Sequence, residues 1–228
     1  MNKFSEMETF TNVFQPGFEE VYQKDFRLKG LWNGKYFKNA HPIILELGCG
    51  KGEYAVGLAR AYPQCNFIGV DIKGARIWTG AKMAVGEDIK NVAFVRSRIE
   101  FIESFFGKDE IDEIWITFPG PQLKKRRNKK RLTGSRFLTM YRNFLKKDGL
   151  VHLKTDNEVM FSYTWELVKI NNFELISATN DLYESDFTGP ARDIQTFYEK
   201  QFLVEGLNIH YLQFRINHDD PIREPDTE

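Results

Sequence analysis

A single α/β domain on a mostly parallel, seven-stranded sheet, with helices on both faces and an antiparallel edge, is the architecture this sequence predicts. Three observations predict it. From Ile43 onward short apolar runs alternate with helical stretches, the pattern of a parallel sheet covered on both sides. The chain has 228 residues, within the range that one core can serve. Hydrophobic residues make up 42% and charged residues 28%, enough to fill a core and still solvate its surface, which excludes a disordered chain.

The elements follow in order. Residues 1–40 scatter Pro16, Gly17, Gly30 and Gly34 among aromatics and lysines, an irregular arm or cap. Apolar runs predict strands at 43–47, 66–70, 92–95, 113–117 and 150–154. Helices are expected at 53–61, 73–85, 135–146 and 157–171, the third closed by Asp148-Gly149. Segments 173–178 and 208–215 should pair as a hairpin-like edge around a helix at 192–205, and 219–228 reads as a polar, frayed tail. The main domain is thus 41–218.

Composition removes several function classes. With 32 basic and 32 acidic side chains, nucleic-acid contact must come from local clustering and not from a basic field over the whole chain. Cys49 and Cys65 are too few for a disulfide scaffold and lack a second ligand pair, so a reducing cytoplasm is expected and a zinc site is not. No run of about 18 apolar residues exists to span a membrane. His41 and His152 are isolated, and His152 lies within an apolar strand pattern, so it reads as a satisfied core residue; no metal is expected. Monomer and homodimer both stay open.

The first chemical motif is Glu46-Leu47-Gly48-Cys49-Gly50-Lys51-Gly52, directly after a predicted strand and opening a helix. Open α/β sheets bind ligands at that place, and glycines there allow close approach and positive φ. A dinucleotide fingerprint would want Gly or Ala at position 53, where this chain has Glu53, which argues against NAD. S-adenosylmethionine (SAM) carries no pyrophosphate and needs only close approach to its amino acid and ribose, with Glu46 orienting its amino end or the loop itself. Asp71 ends the second strand about 20 residues on, the distance at which an acid accepts from both ribose hydroxyls. Plainer roles are a tight turn for the glycines and a helix cap for Asp71.

The second motif is Thr117-Phe118-Pro119-Gly120-Pro121-Gln122, followed by seven cationic side chains in the eight positions from Lys124 to Arg131. Charge of one sign at that density repels itself unless an anion is present, and an RNA backbone would supply one with strong salt dependence. A solvated basic loop is the bland alternative.

With Lys154-Thr155-Asp156 and Thr196-Phe197-Tyr198-Glu199 added in this order and spacing, nearly all of the chain after residue 40 resembles the bacterial tRNA (guanine-N7)-methyltransferases. The resemblance implies a Rossmann-like class I methyltransferase fold and methyl transfer from SAM, leaving S-adenosyl-L-homocysteine, to N7 of a guanine in tRNA, in the variable loop at position 46. It implies that Glu46 and Asp71 bind SAM beside Gly48, Gly50 and Gly52. Lys124 and Asp156 would contact the guanine region, Thr196 and Glu199 would line the target pocket, and Arg126, Arg127, Asn128, Lys129, Lys130 and Arg131 would hold the RNA backbone. Two positions depart from the family pattern: Gly120 stands where an Asp usually organises guanine and SAM, and Arg98 where Asp or Asn usually meets the adenine end.

Guanine N7 has an in-plane lone pair and no proton, so its attack on a sulfonium methyl needs alignment more than a strong base. Positive charge moves onto the guanine, and Asp156 and Glu199 are the acids expected to stabilise it. A helix N-cap for Asp156 and a solvated helical position for Glu199 are the ordinary roles. Phe197 and Tyr198 could stack on an unpaired base, with core packing expected for at least one. Two other functions remain: a SAM- and tRNA-binding protein whose chemistry Gly120 and Arg98 have weakened, and a small-molecule methyltransferase sharing only the SAM half.

Overall fold

The computed structural model describes residues 3–226; the side chains of Lys125 and Arg126 lie outside the described set, and with them the expectation for Arg126. The chain forms two compact units, Met1–Asp112 and Glu113–Glu228.

The first unit runs α1 (Lys3–Met7), β1 (Val13–Phe14), α2 (Phe18–Val21), a π-helical turn at Trp32–Phe37, β2 (Ile43–Leu47), α3 (Glu53–Ala61), β3 (Asn66–Asp71), α4 (Gly74–Gly86) and β4 (Val92–Arg96), then a 3-10 turn at Ile99–Ser104. Here β1 pairs with β4, β4 with β3 and β3 with β2, all parallel. Every residue of β2 is buried, as a strand covered on both faces requires. The register sets Leu47 beside Val70 and Asp71 beside Arg96, so the loops after β2, β3 and β4 leave the sheet along one edge.

β5 (Ile111–Thr117) begins at the unit boundary. The second unit continues with a 3-10 turn at Lys125–Lys130, α5 (Ser135–Tyr141), β6 (Leu145–Thr155), α6 (Glu158–Ile170), β7 (Glu174–Thr179), α7 (Pro190–Asp193), α8 (Phe197–Val204) and β8 (His210–Arg215). β8 lies antiparallel between β6 and β7, which is the expected hairpin-like edge. The α/β class holds, with eight strands among the described residues instead of seven, because the arm supplies β1.

Four further expectations change. The helix begun at Ser135 ends at Tyr141, and Asp148 and Gly149 fall inside β6 instead of closing a helix. The helix expected over 192–205 is broken into α7 and α8, because Thr196 caps a fresh start. The arm is not irregular throughout: Trp32 is fully buried, its Nε1 donates to the Phe105 carbonyl at 2.9 Å, and Phe14, Phe26 and Tyr36 pack around it. The tail is pinned and not frayed through residue 224, since Asn171 exchanges two hydrogen bonds with the Arg223 backbone and Glu224 accepts from Ser135 N at 2.8 Å.

Gly52 shows how tightly the glycine loop is seated. Its φ is +70°, and an added Cβ would lie 2.5 Å from the Phe94 ring. Gly52→Ala is therefore expected to destabilise the fold by about 2–4 kcal/mol, from overpacking and left-handed strain together, read as a lower urea midpoint at unchanged slope.

Candidate functional site

In the first unit the glycine loop turns on left-handed residues: φ is +76° at Gly48, +55° at Gly50 and +70° at Gly52. An L side chain is strained at each, which explains the three glycines. The loop is tied to β3, with Gly48 N and Cys49 N both donating to the Val70 carbonyl, at 2.8 and 3.1 Å. Asp71 completes the latch. Its Oδ2 accepts from Gly50 N at 3.0 Å and its Oδ1 from Lys73 N at 2.8 Å, so it both holds the loop and caps the approach to α4. Each carboxylate oxygen retains acceptor capacity beyond that one bond.

Glu46 is buried, and its Oε2 accepts from Ala55 N at 3.0 Å, fixing the first turn of α3 to β2. Burial pushes the Cys49 thiol well up, with Glu46 and Asp71 adding to it, so this cysteine is an inert packing residue. Nothing lies within 4 Å of a Cβ built on Gly48, so the loop's upper face is open.

Past the ends of β3 and β4 lies a cavity of about 340 Å³, lined by Ile72, Ser97, Arg98 and Phe101 and by Gln15 and Phe18 of the arm. Ile72 is 54% exposed and presents its apolar side chain at the wall of this cavity. Arg98 is exposed, and its Nε is 3.8 Å from Glu100, leaving the guanidinium at the cavity wall. Of these lining residues the sequence had marked Arg98 alone; Ile72, Ser97, Phe101, Gln15 and Phe18 carry no motif, and the signal that could have found Ile72 and Ser97 is position, just after two parallel strands.

In the second unit the loop after β5 is contorted. Phe118 has φ +48° and Gln122 φ +50°, flanking Pro119-Gly120-Pro121. Left-handed non-glycine residues cost about 1–3 kcal/mol each and concentrate at functional loops. Phe118 N is held by the Lys154 carbonyl at 2.8 Å. Gly120 is exposed, and a Cβ there would meet only the end of the Gln122 side chain, at 3.3 Å.

Lys124, Arg127, Lys129 and Lys130 are exposed and Asn128 is half-buried, an arrangement able to meet phosphates. Arg131 departs from expectation. It is 3% exposed, its Nε donates to the Pro121 carbonyl at 3.2 Å, and its guanidinium stacks 4.1 Å from the Tyr163 ring centroid. It anchors the loop from below and has no surface to offer RNA.

At the end of β6, Asp156 is half-buried, and the N-cap of α6 is its neighbour Asn157, which accepts from Met160 N at 2.9 Å. The capping role thus does not fall to Asp156. Thr196 caps α8 in a reciprocal box with Glu199. Phe197 and Tyr198 are 47% and 42% exposed, so neither is the core residue expected of at least one. Glu199 is not solvated. It is fully buried, with Oε1 2.6 Å from Lys154 Nζ and 2.7 Å from the Tyr183 hydroxyl that donates to it, and Oε2 accepting from Thr196 N at 3.2 Å. His152 is the core residue expected: Nδ1 lies 2.8 Å from the Tyr211 hydroxyl, and the ring stacks on Trp115 at 3.8 Å.

The burial of Arg131 and the exposure of Lys129 lead to opposite outcomes. Arg131→Ala should cost about 1–3 kcal/mol of stability, as buried carbonyls lose their donors, whereas Lys129→Ala should stay within about 0.5 kcal/mol; chemical denaturation distinguishes them.

Comparison with known proteins agrees with this geometry. A family described as a putative methyltransferase matches residues 40–212. The tRNA (guanine-N(7)-)-methyltransferase of Christiangramia forsetii is 52% identical, covering 95% of this chain and 97% of its own. Among solved structures, the 16S rRNA methyltransferase KamB superposes with a TM-score of 0.62 at 11% identity, covering 80% of this chain and 91% of its own. A variant of the 16S rRNA (adenine(1408)-N(1))-methyltransferase from Catenulisporales acidiphilia, solved with its cosubstrate SAM, gives 0.54 at 18%, covering 85% and 92%. These two likenesses establish the fold, and the first relative establishes the family. The chain belongs to the tRNA (guanine-N(7)-)-methyltransferase family.

Proposed function

We propose that the protein methylates N7 of a guanine in tRNA with S-adenosylmethionine as donor. The observation that carries this reading is 52% identity across nearly the whole length of a relative named for that reaction.

The first unit fits the donor. The open face above Gly48, the acceptor capacity of Asp71 and the cavity beside Ile72 suit, in turn, an amino acid, a ribose diol and a flat base. Glu46 keeps the loop in place from beneath, and Ser97 and Arg98 offer polar contacts at the base's edge. When bound, SAM supplies an electrophilic methyl on a sulfonium sulfur and departs as S-adenosyl-L-homocysteine.

The remaining work is binding and orientation. Lys124, Arg127, Lys129 and Lys130 neutralise phosphates, while Phe197 and Tyr198 present exposed rings on which an unpaired base can stack. Asp156, free of capping duty, stabilises the positive charge that develops on the guanine ring. N7 carries no proton, so no general base is required and alignment sets the rate. Gly120 provides room at the loop instead of a carboxylate, and Asp156 suffices.

Three outcomes test this. RNA from cells lacking the gene should lose 7-methylguanosine from tRNA, and an undiminished level in such cells would remove the assignment. Asp156→Asn should lower kcat by about 100-fold or more, the range seen when one transition-state contact is deleted, whereas Gly120→Asp should leave it within about threefold. A gain of 100-fold in Gly120→Asp would instead mark the native chain as a weakened enzyme. Converting Lys129 and Lys130 to Ala should lower the slope of log affinity for tRNA against log salt by about one for each phosphate no longer neutralised, with little change in stability.

A further inference from the structure

Lysine carries a compact, strongly hydrated charge and is seldom wholly buried. Lys154 is: it and Glu199 are both 0% exposed. Its Nζ also donates to the Ile194 carbonyl at 3.0 Å, a contact bridging 40 positions of sequence. The second feature is α8 itself. It has eight residues, too few to persist alone, and an amphipathic helix would be fastened by an apolar stripe. Instead Glu199 is the only buried residue of α8, all of whose residues are described, while Phe197, Tyr198 and Val204 face solvent. The fully buried fastening of the helix is therefore a carboxylate, beside the half-buried Phe202, whose ring lies 5.7 Å from that of Phe118. Both carboxylate oxygens are engaged, Oε1 by Lys154 and Tyr183 and Oε2 by Thr196 N.

Resting on the methyl-transfer reading above, we infer that Lys154 and Tyr183 are positioning residues of this reaction, and that Glu199 is the strut they grip instead of a group that touches guanine. Lys154 stands on the strand end that carries Asp156, so one ammonium sets the distance between that acid and the Thr196-Phe197-Tyr198 turn. A buried ion pair is a poor source of net stability but a directional one, since its contacts hold only at short range and fixed angle. Guanine would meet Asp156 and the exposed aromatic pair, while Glu199 stays beneath them.

A double-mutant cycle separates strut from contact. Lys154→Met alone leaves Glu199 buried without its counter-charge and should lower kcat by about 100-fold, with KM for SAM within about twofold, and Glu199→Gln alone should lower kcat by about tenfold. The combined variant should be no worse than Lys154→Met, because a strut once released cannot be released again. Losses that multiply to about 1000-fold would show independent roles and overturn the inference. Tyr183→Phe, a milder change, covers the case in which Lys154→Met does not fold. It should lower kcat by about three- to tenfold at unchanged tRNA affinity, and unaltered kcat would count against the proposal. Amide hydrogen exchange gives a readout apart from turnover: in Tyr183→Phe the amides of residues 197–200 should exchange about fivefold faster or more, with the rest of the protein unchanged. Failure of the native chain to methylate tRNA would overturn the underlying reading, whereas unchanged exchange would overturn this one.

Discussion

Asp71 ties the glycine loop of the first unit into a fixed surface. Three glycines in left-handed conformations would leave a mobile loop, yet Gly50 N is drawn to Asp71 and the two preceding amides to the Val70 carbonyl. A loop that must let a ligand approach its backbone cannot use side chains to stiffen itself. It borrows rigidity from the neighbouring strand instead. The parallel register, with Leu47 beside Val70, brings that acid to the right height.

The second unit meets a related problem by other means. A loop with seven cations in eight positions repels itself, and two left-handed non-glycine residues add strain before it. Arg131 turns one of those charges inward, where it holds the Pro121 carbonyl and lies over Tyr163, while Lys124, Arg127, Lys129 and Lys130 stay exposed. Lys154 and Glu199 do the same for the turn before α8. In both places a charged side chain is used as a tether, and the groups left exposed are those able to meet RNA.

Much of this was legible in the sequence. β2 and α3 fall at the predicted positions because their apolar runs and flanking glycines leave one reading. The glycine loop, the Pro119-Gly120-Pro121 loop and Lys154-Thr155-Asp156 were visible as well, since each lies at or just past the end of a strand. What was hidden is of two kinds. Some signals were present but outweighed: Thr196-Phe197-Tyr198-Glu199 is a capping box, which announces a helix start at the point where one long helix had been expected. Other facts have no local signal. That Arg131 is buried while Lys129 and Lys130 are not, or that Lys154 meets a glutamate 45 residues on, depends on tertiary packing that side-chain type does not encode. The cavity beside Ile72 is of the same kind, since its arm residues Gln15 and Phe18 are brought to it only by the pairing of β1 with β4.

The family assignment and the two sets of residues converge on one chemical claim, methyl transfer to a ring nitrogen that needs no deprotonation. The direct measurement is to incubate the purified protein with unmodified tRNA and methyl-labelled SAM, digest the RNA and identify the labelled nucleoside. The account predicts a single product, 7-methylguanosine, formed at a rate nearly flat with pH around neutrality because no base must be ionised. Label on an exocyclic amine, on a ribose or on an adenine would contradict it.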